Sequence, residues 1–154
     1  MGRVYKLPID AVAIGTAVQD IFAVKCGAGV GVILHAIHLD SINTAAAPCR
    51  MRLKRGTATV TLGSGGSSVT PVPAGINDSA AASTAHINDT SQASTSGAFT
   101  TIMGFNWDTV LPFDYLPPPE HRESCILNQG FVFDLPAVIT AVTISGYLVF
   151  EEIP

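Results

Sequence analysis

The last stretch of the chain, residues 137–153, constrains the fold more than any other. Val138, Thr140 and Val142 lead into Ile144, Gly146, Leu148 and Phe150 on one side of a two-residue alternation, while Ala141, Thr143, Ser145, Tyr147, Val149 and Glu151 take the other. Period two, carried by β-branched and aromatic residues, is the pattern of a strand packed on a core. Pro136 marks its start and Pro154 its stop. The run reads as a long, central strand of a β-rich domain.

The rest of the chain follows the same grammar. Residues 3–14 read as a first strand, in which Pro8 predicts an edge position or a bulge. Residues 20–26 form a second strand, ended by Gly27-Ala-Gly29, and 30–42 a third. In the third, Ile33, His35, Ile37 and Leu39 alternate with Leu34, Ala36, His38 and Asp40. Residues 49–62 alternate again, first with Arg50, Arg52 and Lys54 opposite Cys49, Met51 and Leu53, then as a threonine series to Leu62. Further strands are expected over 99–107, 124–127 and 131–135, with 113–120 a stiff proline-rich connection. Residues 63–98 differ in kind: rich in Gly, Ser, Ala, Thr and Asn, they predict a long irregular excursion with a brief strand near 80–87. Such a stretch inside a compact domain is functional, disordered or ordered by a neighbour. The expected architecture is all-β: a single domain over 1–154, a two-sheet antiparallel β-sandwich, jelly-roll-like, of about eight strands. Its expected core comprises Ile33, Ile37, Leu39, Met51, Leu53, Val60, Phe131, Phe133, Ile144, Leu148 and Phe150.

Composition adds a constraint on the surface. Charged residues make up only 13% of the 154, about half the usual ~25% of a soluble domain. So sparse a charge predicts surface covered by self-association or a partner. The net charge of −4 argues against a sequence-independent nucleic-acid binder. No stretch approaches the ~20 apolar residues of a spanning helix, and the N-terminus lacks a signal-like apolar region. Synthesis in a cytoplasm, without a membrane partner, is the expectation.

Few residues advertise chemistry. Three cysteines at wide spacing, Cys26, Cys49 and Cys125, fit neither a disulfide framework nor a zinc site and read as buried thiols. His35 and His38, three apart on one strand, are expected on opposite faces, unable to share an ion without a bulge, and His86 and His121 complete no ligand set. A Cys125–His121 nucleophile pair lacks a thiolate-stabilising setting, and no spacing among the carboxylates selects an acid/base pair. Glu151-Glu152 reads as a solvated strand end or a partner for Arg122, and the glycine-rich segment 63–68 as a flexible turn rather than a phosphate loop. No catalytic residue, metal or cofactor is therefore expected. Half of the eight basic residues, Arg50, Arg52, Lys54 and Arg55, lie between 50 and 55. They are either an interface with an acidic protein surface or a solvated strand face that discourages edge pairing. Trp107 and Tyr115, near Phe113, serve a core or oligomer contact or else a carbohydrate platform.

Four motifs together carry a resemblance: Ala-Val-Gln-Asp-Ile-Phe after an opening strand, a Gly-Ser/Pro-Val-Pro loop after a basic strand, Trp followed by Tyr-Leu-Pro-Pro-Pro-Glu, and the ending Ser-Gly-Tyr-Leu-Val-Phe-Glu-Glu-Ile. In these the chain is similar to a family of small structural proteins of tailed phages and prophages. The resemblance covers most of the chain and carries no catalytic residues. It implies a non-enzymatic virion component, foremost a jelly-roll capsid decoration (cement) protein that sits as a trimer on the outer shell and binds the major capsid protein. A tail- or neck-associated module, or a lectin-like carbohydrate-binding sandwich, is the alternative.

Overall fold

The structure is a computed structural model of the chain and describes every residue except Met1, Thr16 and Val138. Its strands are β1 Arg3–Ile14, β2 Gln19–Lys25, β3 Gly31–Ser41, β4 Pro48–Gly56, β5 Val60–Thr61, β6 Ser67–Val69, β7 Val72–Pro73, β8 Thr84–Asp89, β9 Ser94–Thr95, β10 Phe99–Asp108, β11 Phe113–Tyr115, β12 Ser124–Cys125, β13 Gly130–Leu135 and β14 Val142–Ile153. A 3-10 turn at Pro119–His121 is the one helical piece among the described residues.

Two six-stranded antiparallel sheets make the sandwich. One runs β11-β3-β14-β1-β7, with β12 also on β3; the other runs β10-β4-β13-β2-β8-β6, and β5 with β9 forms a separate ribbon. Four nested pairings organise both: β1 with β14, β2 with β13, β3 with β11, and β4 with β10. The chain thus behaves as one long hairpin of four strand pairs, rolled so that successive pairs fall in alternate sheets. That strand order is an eight-stranded jelly roll, as the alternation predicts. β11 and β12 lie end to end along β3, β11 against Leu39, His38 and Ile37 and β12 against Ile33 and Val32. The prolines between them, Pro117 to Pro119, break what would otherwise be one edge strand because they offer no ladder donors.

β14 lies between β3 and β1, the central place that its alternation requires. Val142, Ile144, Leu148 and Phe150 face the core, and Phe150 stacks on Tyr5 with ring centroids 5.6 Å apart. The strand begins at Val142, later than the pattern from residue 137 suggests, and Val138 lies outside the described residues. Gly146 interrupts the pattern for a steric reason: φ is +154°, and a Cβ there would stand 2.1 Å from the His38 carbonyl oxygen. Although β1 lies between β14 and β7, Pro8 sits where its β7 side is open, in register with Tyr147, and a bulge follows it. Beyond Lys6, β1 is paired on the β14 side alone, and its register shifts between Ile9 and Val12, with Ala11 at φ +49°.

A second bulge overturns an expectation. Opposite Val149 and Phe150 the register on β3 steps from Ala36 to Leu34, leaving His35 unpaired. An extra residue exchanges the two faces of a strand. Val32 and Leu34 on one side of it, and Ile37 and Leu39 on the other, therefore all enter the core, whereas Ile33 is only half-buried. His35 and His38, expected on opposite faces, both turn outward. The other expected core residues are buried, Val60 outside the main cluster.

The excursion is more ordered than its composition suggests. β8 and β6 extend one sheet past β2, β7 caps the other beside β1, and only Val60–Thr61 of the expected strand over 57–62 pairs, with Ser94–Thr95. The glycine-rich segment 63–68 is a close approach, not a loose turn: a Cβ on Gly66 would lie 2.2 Å from the Ile87 carbonyl oxygen.

Candidate functional site

The basic strand β4 turns Cys49, Met51 and Leu53 into the core and Arg50, Arg52 and Lys54 onto the outer face of its sheet. There Asp134 of β13, with no exposed surface, gathers two of the three. Arg52 donates Nε and Nη2 to its two oxygens at 3.1 and 2.7 Å, and Lys54 Nζ lies 2.6 Å from Oδ2. The fork geometry holds the Arg52 guanidinium protonated even more firmly than usual. Lys54 also stands 5.0 Å from the Phe99 ring centroid. Arg55, on the other face, reaches Glu123 at 3.3 Å and donates to the Ser124 carbonyl. Arg50 is exposed, and among the described residues it has no carboxylate partner.

This ion cluster extends to the excursion. Asp20, next to Asp134 on β2, accepts the Ala93 N–H at 2.6 Å, and Gln92 Nε2 donates to both Asp20 (3.2 Å) and Asp134 (3.1 Å). Burial pushes the Asp20 carboxyl up to about 6, with Asp134 adding to the rise, against the opposing pull of the Ala93 N–H and the Lys54 charge. Two more carboxylates hold the same segment. Glu152 accepts the N–H groups of Ala82 (3.1 Å) and Ser83 (2.7 Å), so it is buried rather than solvated or paired with Arg122; Asp89 accepts Gly66 N–H at 3.2 Å and faces His86 at 3.1 Å. Sequence reasoning missed these three anchors, because a lone carboxylate in a strand looks the same whether it meets water or a distant backbone.

Trp107 and Tyr115 lie in the core cluster, at 5% and 8% exposure. Trp107 donates Nε1–H to the Leu111 carbonyl at 2.7 Å, and its ring joins Phe105, Phe113, Tyr115 and Phe133 in one aromatic group. The ring faces that a sugar would stack on are covered. Among the described residues the exposed aromatic is Tyr147, which the sequence did not single out. It stacks on His38 at 5.2 Å on the outer face of the β14 sheet, with Lys6 Nζ 5.6 Å from its centroid. His38 pairs with Asp114 at 2.7 Å and His35 with Glu151 at 2.9 Å, so each imidazole has its own carboxylate. No group of three metal-ligating side chains occurs among the described residues. Cys125 meets Cys26 rather than His121, which is exposed.

Large apolar side chains remain outside. Ile42 (81% exposed), Val110 and Leu111 belong to the connections after β3 and β10, which emerge at the same end of the sandwich; Leu116 follows β11, and Ile126 and Leu127 follow β12. Among the described residues no helix is long and apolar enough to cross a membrane. Compared with protein-family models, curated proteins and solved structures, the chain matches none.

Proposed function

We propose that this protein is a non-enzymatic virion structural component of the capsid-decoration type, self-associating on the outer surface of a phage shell. One observation carries the reading: on a jelly-roll frame the charged groups turn onto one another while large apolar side chains stay outside. Arg52, Lys54 and Arg55 are engaged by Asp134 and Glu123, whereas Ile42, Val110 and Leu111 share one exposed end. Apolar surface removed from water gains roughly 25 cal/mol per Å², so these side chains favour coverage by neighbouring subunits. The motif resemblance supplies the shell and the three-fold symmetry; the sparse charge supports the oligomer. Arg50 is then the basic-strand residue left to meet an acidic patch on the major capsid protein, as a rim contact that sets register more than affinity.

Quantitative mass spectrometry of purified particles, with a reconstruction of the shell, tests the reading. Copies by the hundred at lattice positions are expected. A few copies at one vertex would move the protein to the neck or tail, and absence from the particle would overturn the proposal. Leu111→Asp is expected to lower self-association in light scattering without loss of fold, because Leu111 is 61% exposed.

A further inference from the structure

We infer that Cys26 and Cys125 form a latent disulfide that clips the two sheets together on oxidation. Cys26 directly follows β2, at the end of one sheet; Cys125 lies in β12, paired with Val32 of β3 in the other. Their Sγ atoms are 2.9 Å apart, both residues are 2% exposed, and both are free thiols. Two thiols facing each other across a sandwich need a sulfur movement of only about 1 Å to reach the ~2.05 Å of a bond. The backbone around them is already fixed, since Cys26 N–H donates to the Gln129 carbonyl at 2.9 Å in the turn after β12.

The two thiols share one hydrogen bond in which either can donate, and whichever sulfur accepts has its thiolate favoured by the S–H of the other. With a hydroperoxide as oxidant, that sulfur attacks the O–O bond, becomes a sulfenic acid and releases water from hydrogen peroxide. The other sulfur then attacks the sulfenic sulfur, expelling a second water as the S–S bond forms. Two thiols and one peroxide give one disulfide and two waters. Ala28 and Gly29, which follow Cys26 closely in the chain, are both exposed. A chain that folds in a reducing compartment and later meets an oxidising one would acquire the clip without refolding. The bridge closes a loop between residues 99 apart in sequence, which contains the whole excursion.

The test treats the folded wild-type chain with hydrogen peroxide, then counts thiols after denaturation and maps peptides without reduction. Expected are a loss of about 2 Da, the two hydrogens released, one remaining thiol at Cys49, a Cys26–Cys125 linked peptide, and a melting midpoint raised by about 10 °C. Cys49→Ser keeps the linkage, and Cys26→Ser or Cys125→Ser removes it. Three thiols persisting in the folded protein, either thiol of the pair trapped as a sulfinic acid, or bridges only between separate chains would each overturn the inference.

Discussion

Asp20 shows at the scale of one residue how burial sets a measurable response. Its folded value of about 6 lies above the ordinary 3.8, so the folded state holds this proton more tightly than the unfolded state. On acidification from about 6 to about 4 this group therefore adds stability, up to roughly 2–3 kcal/mol; as pH rises through 6 that contribution is lost. Asp20→Asn keeps an acceptor for Ala93 and is expected to match or exceed the parent at neutral pH, and to abolish its share of the pH dependence in urea unfolding. An unchanged pH profile would place the titration elsewhere. Asp134→Ala strands the buried ammonium of Lys54 and the Arg52 guanidinium, and should cost about 3–5 kcal/mol. The Tyr115 hydroxyl is buried without a partner among the described residues. Tyr115→Phe should therefore be neutral or stabilising, within about 1 kcal/mol. None of these environments is legible in sequence, because each is made by residues from at least two distant strands.

Among the elements, β14 was the most legible and the excursion the least. Alternation from Val142 to Phe150 encodes a two-faced strand whatever its neighbours, and Phe150→Ala should cost about 3–5 kcal/mol in denaturant unfolding. Loss of under 1 kcal/mol would contradict its place beneath Tyr5. β3 was half legible. Its alternation was plain, but the bulge at His35, visible only in the register against β14, reversed the faces. The excursion read as irregular because alanine, serine and glycine carry no periodic signal. Its order comes from outside, through the carboxylates of Asp20 and Glu152 that accept its amides. Slow hydrogen exchange at Ala82, Ser83 and Ala93 is expected, together with its loss at Ala82 and Ser83 in Glu152→Ala. Fast exchange at all three in the parent would show an untethered segment.

At the scale of the molecule, eight strands in jelly-roll order leave chemistry inside and apolar loops outside, and the basic strand illustrates how far that reverses a reading of residues alone. Arg52 and Lys54 look like a docking face in sequence, yet they hold the excursion's ion cluster. On the proposed shell role, charge reversal at Arg50 is accordingly expected to weaken particle binding in a salt-dependent way without unfolding the chain, whereas reversal at Arg52 should unfold the cluster first. Equal stability of the two variants by thermal melting would return Arg52 to the surface. Local side-chain period already specified the all-β class, the two-sheet sandwich, most of the core and the central place of the last strand, since that period is a property of the backbone itself. The tertiary structure alone decided which of those side chains meet: the bulge that turns both histidines outward, the carboxylates that order the excursion, and the approach of Cys26 to Cys125. These depend on register and on which distant strands become neighbours, and no local pattern in a chain encodes such choices.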